Sequence, residues 1–180
     1  MLKQLILIFG LLAAFASNAL ACSEVEKDSE HKVQLFEALK DAKSEMEGQA
    51  LGDQIWRIWT TAPDSQSQSM LDKGRERIRY GDYEAAETVL SKLIDYCPDY
   101  AEGWNQRAFA RFLRQDFDRA LDDIEKVLER EPKHFGALSG RAVTLLHMGR
   151  TEVGYTALRE ALMVNPWLSE RRFLPPGEDI

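Results

Sequence analysis

The side chains in this chain that could move a proton, hold a metal or attack a carbonyl are few: His31, His134 and His147, Cys22 and Cys97, and a surplus of carboxylates. Imidazole and thiolate do such work only in company, because a metal needs several converging ligands and a nucleophile needs a base beside it. No pair of them stands at His-x-x-x-His or Cys-x-x-Cys spacing, and neither a phosphate-cradling glycine loop nor a nucleophile elbow occurs. The 30 Asp and Glu against 23 Lys and Arg give a net charge of −7. Carboxylates spread along helical patterns form a solvated surface rather than an acid–base pair. No enzyme, no metal and no cofactor are therefore expected, and the acidity argues against nucleic acid or anionic lipid as bulk-charge partners.

The cysteines bear on address. Lys3 precedes an uncharged run, apolar from Leu5 to Phe15, that ends in Ser17-Asn18-Ala19-Leu20-Ala21. A basic start, a short apolar stretch and a small-x-small cleavage site are the pattern of a signal peptide, here residues 1–21. The apolar stretch is too short to span a bilayer, which takes about 17–25 residues, so the mature chain carries no transmembrane segment. Cleavage after Ala21 makes Cys22 the first mature residue, where bacterial lipoproteins carry their lipid, although Ala19 stands where a lipobox has leucine. Three fates stay open: a lipid anchor at Cys22, a disulfide between Cys22 and Cys97 in an oxidising compartment, and, for Cys97, a small apolar residue at a helix end.

What positions the other residues is a repeat. Pro98, Pro132 and Pro166 are 34 residues apart. Laid out at that period, Gly74, Ala108 and Ala142 share a column, as do Gly81, Gln115 and Gly149, then Ala86, Ala120 and Gly154, then Leu90, Ile124 and Leu158. Small residues let paired helices approach, and each proline ends the second helix of its unit. A 34-residue helix-turn-helix unit with these anchors resembles the tetratricopeptide repeat. The resemblance implies an all-α fold, a right-handed superhelical solenoid, with units at 67–100, 101–134 and 135–168 whose first helices run over 67–80, 101–114 and 135–148. The stretches DYAEGWNQRA and EPKHFGALSG, with IWRIW before them, are similar to those of small exported bacterial members. That implies the periplasm or, with a lipid on Cys22, the outer membrane.

The flanks are read in the same frame. Residues 22–32 are polar and read as a flexible linker. Residues 33–66 carry Leu35, Phe36, Leu39, Ile55, Trp56 and Trp59 at helical spacing and read as a degenerate helix pair capping the first unit. The tail, 169–180, places Phe173 and Leu174 before Pro175-Pro176 and is too apolar to be a solvated end. It is expected to fold back on Leu158 and Leu162 or to pair with a second copy as a homodimer.

In a stack of such units the first helices build a concave wall. The resemblance puts the fifth, ninth, twelfth and thirteenth residues of each unit on it. In the first unit these are Leu71, Arg75, Ile78 and Arg79. In the second they are Asn105, Phe109, Phe112 and Leu113, and in the third Ser139, Val143, Leu146 and His147. An apolar floor with two arginines at one end fits a protein or peptide partner carrying apolar side chains and an acidic group. Family members that clamp a C-terminal carboxylate use Lys and Asn at the fifth and ninth places; Leu71 and Arg75 stand there instead, so that clamp is not expected. Arg107 and Arg111, at the seventh and eleventh places, are read as covering the helix pair with their stems while reaching acidic neighbours. The expected function is a non-enzymatic binding scaffold or adaptor, with an oligomerising structural subunit of an envelope assembly as the alternative.

Overall fold

The computed structural model describes residues 22–25 and 29–177; the signal peptide read at 1–21, residues 26–28 and the last three residues of the tail lie outside the described residues. Eight α-helices follow one another among them: α1 (Glu30–Asp41), α2 (Glu45–Trp59), α3 (Ser65–Arg79), α4 (Tyr83–Tyr96), α5 (Ala101–Leu113), α6 (Phe117–Arg130), α7 (Phe135–His147) and α8 (Thr151–Val164). A 3₁₀ turn, Ser169–Phe173, follows them.

Helices α3 to α8 form three antiparallel pairs, each helix packing on the next. Each pair reverses through one residue with left-handed backbone: Gly81 (φ 76°), Gln115 (φ 62°) and Gly149 (φ 74°). Glycine adopts that conformation freely, whereas Gln115 holds it against its own Cβ. Ala86, Ala108, Ala120 and Ala142 are buried where the helices meet, and Leu90, Leu93, Ile124, Val127 and Leu158 fill the layers between them. Asp64 starts α3 by accepting the Ser67 N–H (2.8 Å), while the Ser67 hydroxyl accepts the Asp64 N–H (3.2 Å). The same carboxylate accepts Ser23 N–H and Tyr96 O–H, both at 3.1 Å.

The middle of the stack is ionic. Arg107 grips Asp123 with two bonds (2.9 and 2.7 Å), and Arg111 reaches both Asp123 (2.7 Å) and Glu87 (3.0 Å). Arg114 (2.7 Å) and Arg119 complete a cluster on Glu87. Burial pushes the Glu87 carboxyl up, but Arg111 and Arg119 outweigh it and hold the group below its usual range. These arginines thus tie α4, α5 and α6 together, as their stems and acidic neighbours suggested.

The first helix pair departs from the cap expectation. Helix α1 begins at Glu30 because Ser29 caps it, accepting the Lys32 N–H (3.3 Å), so the helix takes residues that composition gave to the linker. Leu35, Phe36 and Leu39, with Ile55 and Trp59 of α2, bury themselves against Phe135, Val164, Trp167 and Leu168. The pair lies along the corners that join one repeat to the next instead of stacking on α3. Helix α3, SQSQSMLDKGRERIR, is mostly polar, and its Leu71, Gly74 and Ile78 are already buried. The corners offer rings: Trp59 stacks on His134 (3.9 Å between centroids) and meets Phe135 at 4.7 Å. Tyr100 donates its hydroxyl to Trp59 O (2.7 Å), and Trp167 donates Nε1–H to Leu39 O (3.3 Å).

Of the three fates of the cysteines, the structure has the disulfide, Cys22 to Cys97, with Cα atoms 5.1 Å apart. Together with the Ser23 to Asp64 bond it fastens 22–25 to the stack, so that segment is not a free linker. Of the two fates of the tail, the structure has the fold-back: Leu168 and Leu174 pack on Ala142, Leu145, Leu158 and Leu162.

Candidate functional site

The first helices of the three pairs, α3, α5 and α7, face a groove of about 710 Å³. Residues one turn apart share a helix face, so the ninth and twelfth places project together. The groove brings together Arg75, Ile78 and Arg79 from α3, Asn105, Phe109 and Phe112 from α5, and Ser139 and Val143 from α7. Phe109 is 47% exposed and forms the open floor. Phe112 is partly buried, with Phe117 at 5.7 Å and His147 at 5.1 Å.

Four expected wall residues lie elsewhere. Leu71 is fully buried among Leu90, Leu93 and Tyr100, a cluster against which Val25, Ala62 and Leu113 also pack. The fifth place of the first unit therefore belongs to the core, and Leu113 packs against the same cluster. Leu146 lies against Gly154 of α8. His147 is exposed at the end of α7, its Nδ1 2.9 Å from Val143 O. Neither of these two reaches the groove.

The structure also adds residues that repeat spacing did not mark. Trp56 of α2, Gln106, Phe135, Gly136, Leu168 and Glu170 line the same groove. One signal for them was present: at the second place of the units stand Gln68, Glu102 and Gly136. A glycine only in the third marks a close approach, and a Cβ there would lie 2.5 Å from the Trp56 ring.

Beneath the groove lies a buried polar platform. Glu102, 1% exposed, accepts from Asn105 (3.0 Å) and Gln106 (2.6 Å). His134 begins α7 by accepting Ala137 N–H on Nδ1 (3.1 Å), which leaves Nε2 to donate to Glu102 Oε2 (3.1 Å). Burial raises the Tyr100 hydroxyl above its usual range, the charge of Glu102 adds to this and that of Arg75 opposes it. The platform fixes the groove-facing amides; its histidine is fully buried and fully engaged.

The electrostatics of the wall contrast with the ionic middle. Among the described residues neither Arg75 nor Arg79 has a hydrogen bond or salt bridge. Asp72 lies at their end of the groove and Glu170 at the other. Among the described residues no three His, Cys, Asp or Glu gather as a metal would need, and no helix is long and apolar enough to cross a membrane. The arrangement offers surface, shape and charge to a partner.

Comparison with known proteins agrees with this architecture. No known protein-family profile matches the chain. A TPR repeat-containing protein of Rhizobium etli is 32% identical over 133 residues, covering 74% of this chain; the chain spans 65% of that relative's length. The TPR2B-domain:pHsp70 complex of yeast Sti1 superposes with a TM-score of 0.57 at 20% identity, covering 61% of this chain and 90% of that one. The second TPR domain of human RPAP3, in complex with an HSP70 peptide, gives a TM-score of 0.57 at 19% identity, covering 60% of this chain and 90% of that one. The likeness is one of fold: an all-α, right-handed superhelical solenoid.

Proposed function

The chain is a tetratricopeptide-repeat protein, and on that footing we propose that it is an exported, non-enzymatic scaffold that holds an extended protein segment in the α3–α5–α7 groove. The observation that carries the reading is the groove itself. It has an aromatic floor left open at Phe109 and two arginines that, among the described residues, make no hydrogen bond or salt bridge, whereas Arg107, Arg111 and Arg114 are all paired. Aromatic anchors with charged residues setting orientation are how interfaces concentrate their energy. The yeast and human domains hold Hsp70 segments, yet the ligand here is set by different side chains. Leu71 is buried where a clamping lysine would stand.

Two features support export. The 1–21 segment has the signature of a cleaved leader, and a Cys22–Cys97 disulfide persists in an oxidising compartment such as the periplasm. A Cys22 sulfur held in that bond has no thiol left to carry lipid, which favours a free periplasmic protein over a lipoprotein. Intact mass of the fractionated protein is expected to begin at Cys22 with no lipid added.

A photo-crosslinking residue at position 143, on the same groove, tests the reading. It is expected to capture a protein partner in the extracytoplasmic fraction, and Phe109→Ala is expected to weaken capture of that partner by about 1–3 kcal/mol with helicity unchanged. Loss of capture in proportion to loss of folded protein would make Phe109 a core residue and end the reading.

A further inference from the structure

The N-terminal hairpin does more than brace the corners. Trp59, one turn on, is buried, whereas Trp56 is only partly buried and lines the groove. One side of its ring is fixed by Trp59 (6.0 Å), His134 (5.7 Å) and Phe135 (6.2 Å), and it lies over Gly136. Among the described residues its indole N–H makes no hydrogen bond. A rigid aromatic wall from outside the repeats, joined by Leu168, therefore closes the α7 end of a groove that three repeats alone would leave open.

The two ends differ in charge. Glu170 stands at the Trp56 end; Arg75 and Arg79, one turn apart, outnumber Asp72 at the α3 end. We infer that Trp56 is a specificity-determining residue: it seats an aromatic or branched aliphatic side chain of the bound segment, whose acidic residue lies at Arg75 and Arg79. This rests on the groove reading above and names the class of segment. In the repeat frame Arg79 stands eleven places beyond Gly136, about 16 Å along the helix axis at 1.5 Å per residue. Two helix spacings of about 8–10 Å separate α7 from α3. The diagonal of about 24 Å is spanned by about seven extended residues. The occupant is thus an extended segment of another protein, with an apolar side chain and an Asp or Glu about seven residues apart.

The test is selection of a displayed random-peptide library on the disulfide-bonded protein, run in parallel on wild type, Trp56→Ala, Trp56→Phe, Arg75→Glu/Arg79→Glu and Phe109→Ala. Wild type is expected to enrich the apolar-to-acidic pattern. Trp56→Ala should lose the apolar preference while keeping the acidic one, and should bind a selected peptide about tenfold or more weakly. Trp56→Phe should restore the preference, and the arginine variant should lose only the acidic one. A merely structural role would weaken every peptide alike and would not erase one position. Where circular dichroism shows Trp56→Ala unfolded, Gly136→Ala, which displaces the indole without removing it, takes its place. The wild-type motif persisting in whichever of these is used would overturn the role of Trp56 and leave the groove reading standing. Peptides indifferent to Phe109→Ala, or no enrichment on wild type, would overturn both. A motif matching this chain, with doubled mass in solution, would make a second copy the occupant and overturn a foreign partner.

Discussion

The repeat stack and the N-terminal hairpin are both antiparallel helix pairs, yet they are held in different ways. In the stack each helix touches its sequence neighbour, through alanines, leucines and the Asp123–Arg107–Arg111 cluster. The hairpin touches residues far along the chain: Lys32 pairs with Glu131, 99 residues on (2.8 Å), and Trp167 with Leu39, 128 residues apart (3.3 Å). Units that lean on neighbours can form one after another, whereas a hairpin spanning three corners has nothing to dock on until all three exist. The hairpin is thus the part expected to open first, in keeping with the low-stability end from which moving elements are drawn.

The comparison can be broken at several points. The largest effect is expected from Asp123→Ala, which strips Arg107 of its carboxylate, leaves the buried Arg111 with Glu87 alone, and should cost about 3–5 kcal/mol in denaturant unfolding. All probes of unfolding should report it together, because α4, α5 and α6 are lost as one. Trp59→Ala should cost about 3 kcal/mol by emptying the aromatic corner. Hydrogen exchange should then rise over 30–59 while α3 to α8 keep their protection; a uniform rise would show that hairpin and stack are one unit.

Acid sharpens the contrast at the point where the two regions meet. The Ser67 N–H, then the Ser67 hydroxyl, Ser23 N–H and Tyr96 hydroxyl, hold the Asp64 carboxyl down at about 2, against an ordinary 3.8. A carboxyl lowered by folding contributes stability that is complete above its unfolded value and is lost as pH falls from about 4 through about 2. Asp64→Asn should keep the cap, since asparagine also accepts there, and should remove this part of the acid dependence. The smallest effect is expected from Phe109→Ala: within about 0.5 kcal/mol in thermal melts, since its ring is half in solvent.

How much of this was legible in the sequence follows the same division. Period alone reveals Gly74, Ala108 and Ala142 because a column is read three times, and each reading rests on the same helix-to-helix approach. The family resemblance, laid on that period, puts Arg75, Ile78, Phe109, Phe112 and Val143 on the wall. It fails at Leu71, whose column faces the groove in the other units but in the first is buried in the cluster that holds Leu90, Leu93 and Tyr100. It fails for the hairpin as well: Trp56 and Trp59 fit the frame by spacing, while their partners, His134, Phe135 and Trp167, sit at corners where no column repeats. Cys22 and Cys97 have no spacing rule at all, since chain geometry alone brings them together.

The Cys22–Cys97 bond also decides which part of the chain bears load. Tension applied between residue 22 and the C-terminal end passes through the sulfur bridge directly into α5 and the later repeats. The intervening stretch, a sequence separation of 75, is left slack. About 260 Å of contour length is thereby withheld from extension, with hairpin and first repeat mechanically shielded until the bridge is cut. A protein pulled in an oxidising envelope would stretch as two repeats, and the same protein pulled in reductant would stretch as a whole chain.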